Sequence, residues 1–136
     1  MSQINTKLTG SAPIFIVKDI IKSGEYYKNI LGFDFKDYWG NPPTFCMPER
    51  DRLSVFLQQA GDPAKIQPNG KINHDMWDAY FWLNDAEALF NEYKDKGVEI
   101  LYEPTIQKLY QMKEFAIKDL DGYILAFGQD WTEQLK

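Results

Sequence analysis

The chain has 136 residues, 44% of them hydrophobic and 26% charged, the size and balance of one soluble globular domain. Its net charge of −5 argues against nucleic acid or an anionic membrane as a partner, and no apolar run approaches the roughly 18 residues that span a bilayer. Aromatic residues make up 15%, more than a core of this size needs, so some of them are expected to line a cleft.

The opening MSQINTKLTG has no apolar core of a secretory signal, so none is expected. Residues 13–18, IFIV within them, read as a strand. A helix follows over about 20–31, with Ser23, Tyr26, Tyr27, Ile30 and Leu31 on one stripe and a stop at Gly32. Gly24 inside that helix weakens it by about 1 kcal/mol relative to Ala. Strands are expected near 33–38, 43–48 and 53–59, with RDR at the last hairpin turn. Cys46, the lone cysteine, sits in the apolar run TFCM and reads as a buried structural thiol. A single cysteine forms no disulfide framework and fits a reducing cytoplasm.

Residues 60–77, rich in Pro, Gly and Asn at their start, read as a linker. His74 and Asp78 stand four apart, a spacing that metal sites use, and His74 also reads as a plain surface histidine. A strand over 79–84 leads to the clearest element, a helix with Asp85 as N-cap. Its apolar stripe is Ala86, Leu89, Phe90 and Tyr93, and Gly97 stops it. Strands near 98–103, 113–118 and 123–128 close the chain, with DLDG at the last turn. EPTIQKLYQM (103–112) reads as a loop able to close over a site, and DYWGNPPTF (37–45) as a loop with aromatic tips.

The two halves repeat. At one fixed offset Asp19 falls on Asp85 and Tyr27 on Tyr93; at another, Phe45 falls on Phe115 and Asp51 on Asp121. The expected architecture is therefore α+β: one domain, 1–136, of two βαβββ modules over about 12–59 and 78–129. Strand alternation puts Phe15, Val17, Phe81, Leu83, Leu125 and Phe127 against the helices. It leaves Ile14, Ile16, Tyr80, Trp82, Ile124 and Ala126 on the other face, where Tyr80 and Trp82 read either as cavity lining or as core.

APIFIVKDIIKSGEYYKNILGFDF carries a strand ending in Val-x-Asp, a helix with Tyr26–Tyr27, and Leu-Gly-Phe. EFAIKDLDGYILAFGQ carries Asp-x-Asp-Gly, with Leu120 where a proline is usual. Together they resemble the vicinal oxygen chelate superfamily of glyoxalase I, bleomycin resistance proteins and extradiol dioxygenases. The resemblance covers about residues 12–129 and implies curved mixed sheets around a cavity. Metal-using members place four ligands on the cavity face, and their positions here read Ala12, Phe56, Asp78 and Ala126. Three of these cannot bind an ion, so no metal, no cofactor and no catalytic residue are expected, and the resemblance is closest to the bleomycin resistance branch.

The resemblance then implies a metal-independent protein that binds an aromatic or cationic small molecule and occurs as a homodimer. The expected ligand contacts are Trp39, Phe45, Phe56, Asp78, Tyr80, Trp82, Tyr110 and Ala126, with Tyr38 and Trp77 in the same aromatic set. Asp78 also reads as a hydrogen-bonded strand-end residue. The alternative is a divalent-metal-dependent lyase, isomerase or dioxygenase with an atypical site. A metal-free catalyst would draw its acid or base from Asp78, Glu49, Glu103 and Tyr80.

Overall fold

The structure, a computed structural model, describes residues 5–136. Strand β1 (Ile14–Val17) leads to helix α1 (Ile20–Asn29), whose N-cap Asp19 accepts from the backbone N–H groups of Ile21 and Lys22, both at 3.1 Å. Gly24 has a packing reason. A Cβ there would stand 2.7 Å from the Tyr38 hydroxyl, so the helix gives up propensity for the close approach of Tyr38 and Phe35. The helix ends two residues earlier than its apolar stripe suggests.

The N-terminal half departs from the expected strands. No strand forms over 33–38; the bridge Asp34–Glu49 alone touches that segment, and a second, Trp39–Phe45, lies just beyond it. The Asp34 carboxylate accepts from the backbone N–H of Phe35 at 2.9 Å, a local bond that competes with a ladder. The expected strand 43–48 is cut at Pro48, which has no N–H to donate. β2 (Phe45–Cys46) precedes it and β3 (Glu49–Arg50) follows it. Asp51 and Arg52 turn the chain with positive φ into β4 (Leu53–Ser54), and β5 (Phe56–Gln59) follows. β5 is central, parallel to β1 and antiparallel to β2, while β3 and β4 form a separate hairpin.

Segment 60–77 holds a 3-10 turn at Pro63–Lys65 and a one-turn helix, α2 (Asn69–Ile72). Then come β6 (Ala79–Trp82) and α3 (Ala86–Asp95), the latter capped by Asp85 and closed at Gly97 with φ 74°. β7 (Glu99–Gln107), β8 (Met112–Lys118) and β9 (Ile124–Asp130) complete a four-stranded sheet of order β6-β9-β8-β7. The expected loop 103–112 is thus corrected. Residues 103–107 continue β7, an edge strand that tolerates Pro104 through register shifts, and only 108–111 turn.

The fold is α+β with mixed sheets. One core joins the two halves: Phe81, Phe127 and Phe115 stack in series at 5.4 and 5.2 Å, and Phe33 meets Phe81 at 6.0 Å. Polar bonds cross the same seam. Tyr27 donates to Asp119 at 2.6 Å, Tyr93 donates to the Leu31 carbonyl at 2.8 Å, and Arg50 pairs with both oxygens of Glu92 at 2.8 and 3.0 Å.

Candidate functional site

The four-stranded sheet buries one face against α3 and presents the other. Alternation along β6 sends Phe81 into the core and leaves Tyr80 half-buried and Trp82 70% exposed on the open face. Tyr80 stands opposite Ala126 on β9, and the small side chains of Ala116 and Ala126 let it lie flat on the sheet. Gly128 completes that seat, because a Cβ there would collide with the Tyr80 phenol.

On this face is an open cavity of about 550 Å³, lined by Trp77, Tyr80, Trp82, Tyr110 and Met112. Its rings are tilted or edge to face to one another rather than parallel. Trp77 and Tyr80 lie 4.8 Å apart at 56°, Tyr80 and Trp82 5.2 Å apart at 59°, and Trp77 and Tyr110 6.4 Å apart at 77°. Such a set presents ring faces and edges to a flat guest.

Beneath the rings lies Glu114, only 1% exposed. Tyr80 donates to its Oε1 at 2.9 Å; Tyr102 and Tyr110 donate to its Oε2 at 2.6 and 2.9 Å. The indole N–H of Trp77 donates in turn to the Tyr102 hydroxyl at 3.0 Å. The hydroxyls of the cavity's two tyrosines are thus turned inward onto one carboxylate, and Trp77 reaches it through Tyr102. Burial, with the carboxylate second, pushes the phenols of Tyr80 and Tyr102 up and that of Tyr110 up to about 12, so all three stay protonated donors.

Of the expected contacts, Tyr80, Trp82 and Tyr110 come together in this cavity, with Ala126 buried under Tyr80. Trp39, Phe45 and Phe56 do not join them within the chain. They lie on the N-terminal sheet, where Phe45 and Phe56 meet at 5.7 Å and Trp39 bridges to Phe45. Asp78 is occupied elsewhere: its Oδ1 accepts from the backbone N–H of Asn69 and its Oδ2 from that of Ile124, both at 2.8 Å. Tyr38 packs on Phe35 away from the cavity, and His74 is a surface side chain 3.1 Å from Asp75. Glu49 and Glu103 are exposed.

No sequence pattern marks Met112 or Tyr102 as residues of this site. Glu114 had a signal: it alternates with Ala116 on the face opposite Phe115 and Ile117, a carboxylate in an otherwise apolar strand.

Residues 11–127 match the family model described as Glyoxalase/Bleomycin resistance protein/Dioxygenase superfamily. The chain belongs to that superfamily. Among curated proteins none matches the sequence. The fold is similar to three solved structures of this kind. TioX from Micromonospora sp. ML1 has a TM-score of 0.71 and 14% identity, over 90% of this chain and 98% of that one. TnmS3, an antibiotic binding protein from Streptomyces sp. CB03234, has a TM-score of 0.69 and 15% identity, over 94% and 99%. The bleomycin-binding protein of Streptomyces verticillus, solved with copper(II)-bleomycin, has a TM-score of 0.67 and 18% identity, over 90% and 96%.

The superfamily includes metal-dependent enzymes, so the four ligand positions matter. Ala12, Phe56 and Ala126 offer no donor atom, and both oxygens of Asp78 are already held by backbone N–H groups. Among the described residues no group of three or more His, Cys, Asp or Glu is placed to hold an ion. The residues present do not fit a divalent metal at those positions.

Proposed function

We propose that this protein binds a small, flat aromatic molecule without a metal and holds it without chemical change, as a sequestering protein does. The observation that carries this reading is the aromatic cavity of about 550 Å³, whose inward hydroxyls fix the rings while their faces stay free. That volume suits a drug-sized ligand. Membership of a superfamily that contains bleomycin resistance proteins supports the reading, as does the likeness to proteins described as binding antibiotics.

The same reading includes a homodimer and a cytoplasmic location. Ile14, Ile16 and Trp39 are exposed beside half-buried Phe45 and Phe56, so the N-terminal sheet keeps an apolar face that none of the described residues covers. A second copy laid over it would shield that face and bring Trp39, Phe45 and Phe56 toward a shared cavity.

Tryptophan-fluorescence titration tests the binding. The probes are metal-free bleomycin, copper(II)-bleomycin and a panel of flat aromatic compounds, read beside the metal content of the purified protein. Saturable quenching by at least one compound with no stoichiometric metal is expected. Quenching by none, or a full equivalent of divalent ion, contradicts the proposal.

A further inference from the structure

The described residues include three buried polar side chains, Ser23, Glu114 and Asp119, and Glu114 is the one under the cavity. Its oxygens meet tyrosine hydroxyls alone. Among the described residues no Lys, Arg or His nitrogen lies within 4.0 Å of them. Lys113, the adjacent residue, points to the opposite face of β8, with Nζ 3.1 Å from Glu87 and 4.7 Å from the Trp131 ring.

A carboxylate taken out of water is costly unless donors or a cation meet its oxygens; here three tyrosine hydroxyls meet them and no cation among the described residues does. The missing element is a positive charge, and the cavity is the open side from which one can arrive. The rings there also favour a cation. An aromatic face attracts positive charge, and a phenol that donates its proton toward a carboxylate is a more electron-rich ring than a free one. Tyr80 and Tyr110 are both in that state and both line the cavity.

We propose that the cavity selects flat ligands carrying a delocalised positive charge, with Glu114 as the counter-charge and specificity determinant acting through Tyr80 and Tyr110. This rests on the small-molecule reading above and adds what that molecule carries. It is separable from that reading, since a cavity that binds neutral aromatics as well as cationic ones satisfies the first and not the second.

The probes are thioflavin T, a cationic benzothiazolium dye, and its uncharged N-demethylated benzothiazole counterpart, which has nearly the same shape. Affinities are measured by fluorescence and calorimetry for the native protein and for Glu114→Gln, with melting curves to establish that the variant folds. The native protein is expected to prefer the cation by about tenfold or more, and Glu114→Gln to bind both dyes within about twofold of each other. Equal binding of the two dyes by the native protein overturns the inference and leaves the small-molecule reading intact. A preference for the cation that survives in Glu114→Gln overturns the role of Glu114. Binding of neither dye overturns the inference, while the reading beneath it is decided by the compound panel above. The native protein's own preference decides the charge requirement even if the variant does not fold.

Discussion

Two buried carboxylates, Asp119 in the frame and Glu114 under the cavity, divide structure from site at the scale of single residues. Asp119 accepts from Tyr27 at 2.6 Å and from the backbone N–H groups of Asp121 and Tyr123 at 2.9 and 3.0 Å. Burial nevertheless dominates and raises its carboxyl to about 7. The folded value lies above the unfolded one of about 4, so the fold favours the protonated form. Its stabilising contribution is complete below about pH 4 and is lost as pH rises through 7, at up to about 1.4 kcal/mol per pH unit. Melting temperature should therefore fall between about pH 5 and pH 8 by more in the native protein than in Asp119→Asn, whose side chain cannot ionise. Equal slopes in the two proteins would show that another group sets the dependence. Gly128 makes the corresponding point for the site. Gly128→Ala must displace Tyr80, which calls for a cost of about 1–3 kcal/mol in a denaturant melt and weaker dye binding. An unchanged affinity would mean that Tyr80 is not part of the binding floor.

Among the elements, the stripes and stops of α1 and α3 and the cap of α3 were legible because their signals are local. Asp85 caps, Gly32 and Gly97 stop, and apolar residues recur at helical spacing. The alternation of β1, β6 and β9 was legible too, since each strand has one face packed in the core. The strand expected over 33–38 was not. Its pattern suits a sheet edge, but Asp34 binds the adjacent backbone and only one bridge, to Glu49, forms. The continuation of β7 to Gln107 was hidden by Pro104, which an edge strand accepts and a central strand does not. Part of the site was hidden for a different reason. Glu114 gains its meaning from three tyrosines on separate stretches of chain, and no spacing in the sequence records that convergence. Asp78 marks a strand start by repeat, yet its atoms serve to tie α2 to β9. Asp78→Ala should cost about 2 kcal/mol in thermal or denaturant unfolding by freeing two backbone donors, and leave dye affinity within about threefold. A large loss of affinity with unchanged stability would make Asp78 a ligand contact instead.

At the scale of the whole molecule, one aromatic core runs through both halves and leaves two aromatic faces outside it. The C-terminal face carries a formed cavity; the N-terminal face, with Trp39, Phe45 and Phe56, is left uncovered by the described residues. Light scattering at micromolar concentration should give the mass of a dimer, and a monomeric mass would refute the shared-cavity part of the proposal. The four tryptophans report on these regions separately, because Trp77 and Trp82 line the cavity, Trp39 lies on the N-terminal face and Trp131 packs under Lys113. Their indole N–H signals in a ¹⁵N-labelled sample, followed while thioflavin T is added, test the central claim most directly. The cavity reading predicts that Trp77 and Trp82 shift together and saturate while Trp131 stays in place; saturating dye that leaves Trp77 and Trp82 unmoved would contradict it.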